Sequence, residues 1–199
     1  MELGRGFRRV GKRSFRGFTL AEILIALALI AVLAAVLLPT VAGQILKGDA
    51  ARVMQDADAV RTGIEQFLAD IHRYPGKYSD LSKAVDANDA PDHADINGNP
   101  YTPGLASKWS GPYVTKDTMN AVVQTGFGGV IHNVFTKTLN TNAVNYVTVS
   151  IVGITGPDFD RIDEQVDGTA SPGGRTTGLV RWVTHLAGDT TYFLATPIQ

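Results

Sequence analysis

From Ile23 to Leu38 the chain runs for sixteen residues without a charge, nearly all Leu, Ile, Val or Ala, immediately after a lone carboxylate, Glu22. Counted from Phe18 to Val41 the stretch holds 24 residues and that single charge, against the roughly 20 a helix needs to cross a hydrocarbon core. Such a run is long enough to span a membrane. An ionisable group at its edge is costly to place in lipid, so its presence asks for a function.

Charge gives the stretch a direction. Residues 1–17 carry six basic side chains (Arg5, Arg8, Arg9, Lys12, Arg13, Arg16) against one acid, Glu2, for a net of +5. Basic flanks stay on the cytoplasmic side, which predicts a single pass with the N-terminus cytoplasmic and the C-terminal domain periplasmic or extracellular. The remaining residues hold 12 basic and 18 acidic side chains, a net of −6. An acidic exported domain argues against direct nucleic acid binding.

The junction Arg16-Gly17-Phe18-Thr19-Leu20-Ala21-Glu22 and the apolar helix after it resemble the type IV pilin superfamily, with Pro39 falling where that family's helices carry proline. The resemblance implies a prepilin in the bacterial inner membrane. A prepilin peptidase would cut between Gly17 and Phe18 and methylate the new amine of Phe18, so that removing 17 of 199 residues leaves 182. It also implies assembly through Phe18, Glu22 and Pro39, with Glu22 pairing the Phe18 amine of an adjacent subunit. A secretory signal peptide cut after Thr40-Val41-Ala42 is the other reading, but its apolar region would be too long and would begin with an acid.

Beyond the apolar run Val53, Ala57, Val60, Ile64, Phe67 or Leu68 and Ile71 recur every three or four residues, with Arg52, Asp56, Asp58, Arg61 and Glu65 between them. That period predicts an amphipathic continuation of the same helix. Pro39, Gly43 and Gly48 predict a kink or a melted stretch around residues 35–48. The expected layout is a leader over 1–17, a transmembrane helix half over 18–47, an amphipathic half over 48–74 and a globular loop and sheet domain over 75–199. Val130–Phe135 and the alternating Tyr146–Ile151 read as strands, and Leu179–His185 with Tyr192–Ala195 as a hairpin turned at Gly188-Asp189. The fold class expected is α+β, pilin-like, a long N-terminal helix packed on a small antiparallel sheet.

His72-Arg73-Tyr74-Pro75-Gly76 and Trp109-Ser110-Gly111-Pro112-Tyr113-Val114 resemble stretches of the major pseudopilin of type II secretion, although Lys116-Asp117-Thr118-Met119-Asn120 departs from that family's pattern. There is no cysteine, and the resemblance implies Ca²⁺ in place of a disulfide. The string from Gly156 to Gly168 then reads as an acidic loop in which Asp158, Asp160, Asp163 and Asp167 would surround the ion, since Ca²⁺ takes six to eight oxygens. A solvated acidic turn is the alternative, and residues 86–99 are a rival stretch.

Nothing in the sequence points to an enzyme. His72, His93, His132 and His185 are scattered, and no nucleophile elbow, phosphate loop or zinc motif occurs. Trp109 and Trp182 read as core anchors. The function expected is a structural subunit of a type IV pilus-like filament, the pseudopilus of type II secretion. Its expected partners are identical subunits, the prepilin peptidase, an inner-membrane assembly platform and minor pilins or pseudopilins. A type IV pilin for adhesion, motility or DNA uptake, or a membrane-anchored exported binding domain, is the alternative.

Overall fold

The computed structural model describes residues 17–89, 92–126, 129–140, 142–168, 175–184 and 189–199, without the side chains of 39, 40 and 42–47. Helix α1 runs from Leu20 to Ile71. It closes at His72, whose backbone adopts a left-handed φ of 58° that stops the α-helical repeat. Of the kink or melted stretch expected around residues 35–48, the melted stretch is corrected: the backbone is helical through Pro39. Proline deletes a single ladder donor, and the Leu, Ala and Val around it are free to keep the rest. The side chain of Pro39, expected to act in assembly, lies outside the described residues.

Contacts divide the chain between Gly43 and Gln44 into two units. In the first, Leu20–Leu38 is long and apolar enough to cross a membrane, and none of it is buried. In the second, six antiparallel strands form one sheet: β1 (Val122–Gln124), β2 (Val130–His132), β3 (Thr136–Leu139), β4 (Asn145–Val152), β5 (Val180–Val183) and β6 (Thr190–Pro197). The order is β1-β2-β4-β6-β5, with β3 also paired to β4. This is an α+β fold.

Register explains the core. Partners directly opposite share a face, and Val123, Ile131, Ile151, Thr191 and Trp182 lie opposite one another across β1, β2, β4, β6 and β5, as do Val149, Phe193 and Val180. Against that face pack Val53, Ala57, Val60, Ile64, Phe67 and Ile71 of α1. The stripe read from the sequence is therefore the buried one, with Phe67 rather than Leu68 taking the inward position.

Two short helices lie between α1 and β1 in the chain, α2 (Ser79–Ser82) and α3 (Pro103–Ala106). A third helix, α4 (Gly156–Asp167), replaces the acidic loop expected there, which is the main correction to the sequence reading. Thr155 caps its N-terminus by accepting from the Asp158 amide, Pro157 lies in its first turn, and Gly168 ends it at a φ of 83°. Phe159 and Ile162 are its buried apolar residues. Strands β5 and β6 pair as the predicted hairpin, whose turn at Gly188 lies outside the described residues.

Candidate functional site

Phe18 is 85 % exposed, and the backbone from Gly17 to Thr19 is not yet helical. Among the described residues, no atom beyond Gly17 itself and its chain neighbours comes within 4 Å of the point where a side chain on Gly17 would begin. The peptide bond between Gly17 and Phe18 is thus outside the helical hydrogen-bond ladder and open to an approaching enzyme.

Thr19 and Glu22 form a reciprocal cap at the first turn of α1. The Glu22 carboxylate accepts from the Thr19 amide at 2.8 Å and from the Thr19 hydroxyl at 2.9 Å, and the Glu22 amide donates to Thr19 Oγ1 at 3.2 Å. Two free helix donors are satisfied at once. The sequence reading gave Glu22 a partner on another subunit; in the single subunit that carboxylate is already held by Thr19. The Thr-x-x-Glu spacing carried the signal.

The four aspartates expected to hold Ca²⁺ lie on α4, and each has a partner within the chain. Asp158 accepts from the Thr155 hydroxyl at 2.6 Å and from Arg161 at 2.8 Å. Asp160 accepts from Nε and Nη2 of Arg175 at 2.8–3.2 Å, and the Arg175 guanidinium lies 5.7 Å from the Phe159 ring centre and 5.5 Å from that of Trp182. Asp167 accepts the amides of Leu179 and Val180 at 2.9–3.0 Å. Asp163 is 3 % exposed and also partnered. Each carboxylate serves α4 or its neighbours.

The rival stretch is similarly committed. Asp92 pairs with Lys77 at 2.7 Å, and Asp95 takes Arg73 at 3.1 Å and the amides of Asn97 and Asn99 at 2.9 Å each. Among the described residues no three His, Asp or Glu side chains come together to hold a metal. A groove of about 410 Å³ is lined by Met54, Asp58, Arg61, Tyr146, Leu179 and apolar residues of α4 and β6. The sequence reading also missed His93, which bonds to the buried Asp80 thirteen residues away. No local pattern announces such a pair.

Residues 12–38 match the family model described as the prokaryotic N-terminal methylation motif. The chain is 33 % identical over 101 residues to the type II secretion system core protein G of Escherichia coli K12, across 50 % of this chain and 70 % of that one. It is 34 % identical over 79 residues to the protein of the same name from Klebsiella pneumoniae, across 40 % and 56 %. A third, from Aeromonas hydrophila, is 27 % identical over 104 residues, across 51 % and 73 %. No solved structure matches.

Proposed function

The chain belongs to the type II secretion core protein G family, and on that premise we propose how its N-terminus is processed and used. It is a pseudopilin, a structural subunit and not an enzyme, anchored in a membrane through Leu20–Leu38 and made to assemble into a filament after processing by a prepilin peptidase. The peptidase cuts between Gly17 and Phe18 and methylates the Phe18 amine. The basic leader holds the N-terminus on the cytoplasmic side of the inner membrane, and the acidic domain is exported.

In the separate subunit Thr19 satisfies Glu22. In the filament the Phe18 amine of a neighbouring copy competes for that carboxylate and so sets the axial register, a choice of position more than a gain in stability. Moving α1 from lipid into a bundle exchanges one apolar environment for another, with little hydrophobic gain. An inner-membrane assembly platform must therefore supply work, and minor pseudopilins would begin the filament. The observation that carries this reading is the exposed, non-helical Gly17–Phe18 junction directly ahead of the Thr19–Glu22 cap and the unburied apolar helix.

Intact-mass measurement on protein extracted from membranes tests it. The expected product begins at a methylated Phe18, and Gly17→Arg leaves the leader attached. A product beginning at Gly43 would defeat the reading. Glu22→Leu is expected to be inserted and cut normally while its assembly drops sharply, and normal assembly would remove Glu22 from the mechanism.

A further inference from the structure

Met119 stands at one edge of the sheet and is 67 % exposed. Its backbone is firmly held. The Met119 amide donates to the Val122 carbonyl at 2.8 Å and the Met119 carbonyl accepts from the Val122 amide at 3.1 Å, closing a tight turn into β1. Inside that turn Asn120 and Ala121 adopt left-handed φ angles of 53° and 60°, and the Ala121 carbonyl accepts from the Asn133 amide at 3.0 Å. Left-handed backbone is costly for alanine, and such residues gather where a shape is kept for a use. Here the shape presents a large apolar side chain to solvent.

The groove of about 410 Å³ lies at the other edge. Strands β1 and β5 are the two ends of the strand order; Met119 bonds at the start of β1, whereas the groove is built on β6, on Leu179 ahead of β5 and on Val166 of α4. Helix α1 places them the same way. Its Asp56 pairs at 2.6 Å with Lys116, close before Met119 in the chain, while Met54, Asp58 and Arg61 line the groove. At 3.6 residues per turn Asp56 points roughly 160° away from Met54 and Asp58. Turn and groove therefore flank α1 on opposite sides.

We propose that Met119 of one copy enters this groove on the next copy, so that the sheet domains dock head to tail; the proposal rests on the filament reading given above. Because knob and groove lie at opposite edges, one copy cannot give its Met119 and receive its neighbour's in a single face-to-face pair. The contact is heterologous, and it continues from copy to copy as an open array. Methionine suits an irregular apolar slot, since its unbranched thioether adapts to the walls. A turn fixed beforehand also loses little freedom on docking. Charge agrees with the pairing: Lys116 and the Lys83 that reaches Asp117 stand beside the turn with side chains 42 and 55 % exposed. Asp58, exposed where it lines the groove, has no ion pair among the described residues and supplies the opposite sign.

The chain has no cysteine, so the pair Met119→Cys and Val166→Cys, introduced together in the full chain and oxidised in cell membranes, reports this contact. A non-reducing gel is expected to show a ladder of dimers, trimers and longer species that needs both substitutions. Dimers alone, or equal linking by Met119→Cys without its partner, would mean that copies meet face to face and would overturn the proposal. Filaments sheared from the same cells and counted by electron microscopy separate two failures. Filaments without a ladder overturn the docking alone; wild-type cells without filaments overturn the filament reading and the docking with it. Should the paired variant not assemble, two single variants decide. Met119→Leu is expected to keep the wild-type number of filaments, and Met119→Asp to give about tenfold fewer, the effect of losing one buried anchor from an interface. Equal numbers from both would overturn the proposal.

Discussion

Between Ile23 and Leu38, α1 leaves its Leu, Ile and Val side chains 47–68 % exposed, whereas between Val53 and Ile71 one stripe of the same helix is buried to 3 % or less. The first stretch is apolar on every side and the second on a single face. A helix apolar all round finds its partner outside its own chain, in lipid or in other copies; a helix with one apolar stripe finds it within the fold. The difference separates assembly from folding along one element.

The largest effect expected from breaking that division is at Phe67. It is fully buried and sets edge-on contacts to Tyr101 and Tyr113 at 5.8 and 5.7 Å. Phe67→Ala should lower the stability of the unit from Gln44 onward by about 3–5 kcal/mol. Ile30→Ala, in the exposed half, should leave that stability within about 0.5 kcal/mol of wild type. Denaturant unfolding of the full chain in micelles, followed by near-ultraviolet circular dichroism of the tyrosines and tryptophans, measures both. Equal losses at the two positions would dissolve the distinction.

The two halves also differed in how far the sequence revealed them. The apolar run and the Val53–Ile71 stripe are local patterns, and each is found where it was read; the junction at Gly17 is local too and lies within the matched residues 12–38. The sheet was half legible. Strand β4 alternates and was recognised, whereas β1 and β3 have three and four residues and depend on pairing with β2 and β4. In α4 the aspartates hid a helix whose Thr155 cap, Pro157, apolar Phe159 and Ile162, and closing Gly168 were all in view. The acids were weighed as ligands; in the structure Asp158 and Asp160 pair with Arg161 and Arg175, and Asp167 accepts the amides of Leu179 and Val180. The Asp80–His93 contact is tertiary and left no trace in the sequence.

Asp167 and Glu22 sharpen the comparison, because both carboxylates accept backbone amides but serve different partners. Glu22 caps its own helix, while Asp167 reaches from the end of α4 to the amides of Leu179 and Val180 where β5 begins. Asp167→Ala leaves both amides without that acceptor, which is expected to cost about 1–3 kcal/mol of stability. Protection of the Val180 amide should fall with it. An unchanged unfolding midpoint would mean that water replaces the carboxylate and that α4 is not tethered to β5 through this side chain.

The smallest effect expected is a gain, and it sets two threonines against each other. Thr19, at the head of α1, uses its hydroxyl both as donor and as acceptor in the cap with Glu22. Thr191 is 2 % exposed on the core face of β6, opposite Ile151 and Trp182, and its hydroxyl has no hydrogen-bond partner among the described residues. Valine has nearly the same shape and a strong preference for strands. Thr191→Val removes a buried hydroxyl that gains nothing from its burial, so the domain should be stabilised by about 1 kcal/mol. For a unit of this size that is a rise of about 2–4 °C in Tm. The same change at Thr19 should leave Tm of the domain unmoved, because its hydroxyl serves the membrane helix and not the core. If Thr191→Val lowers the midpoint instead, the hydroxyl has a partner in solution, and the core face of β6 is wetter than its apolar neighbours imply.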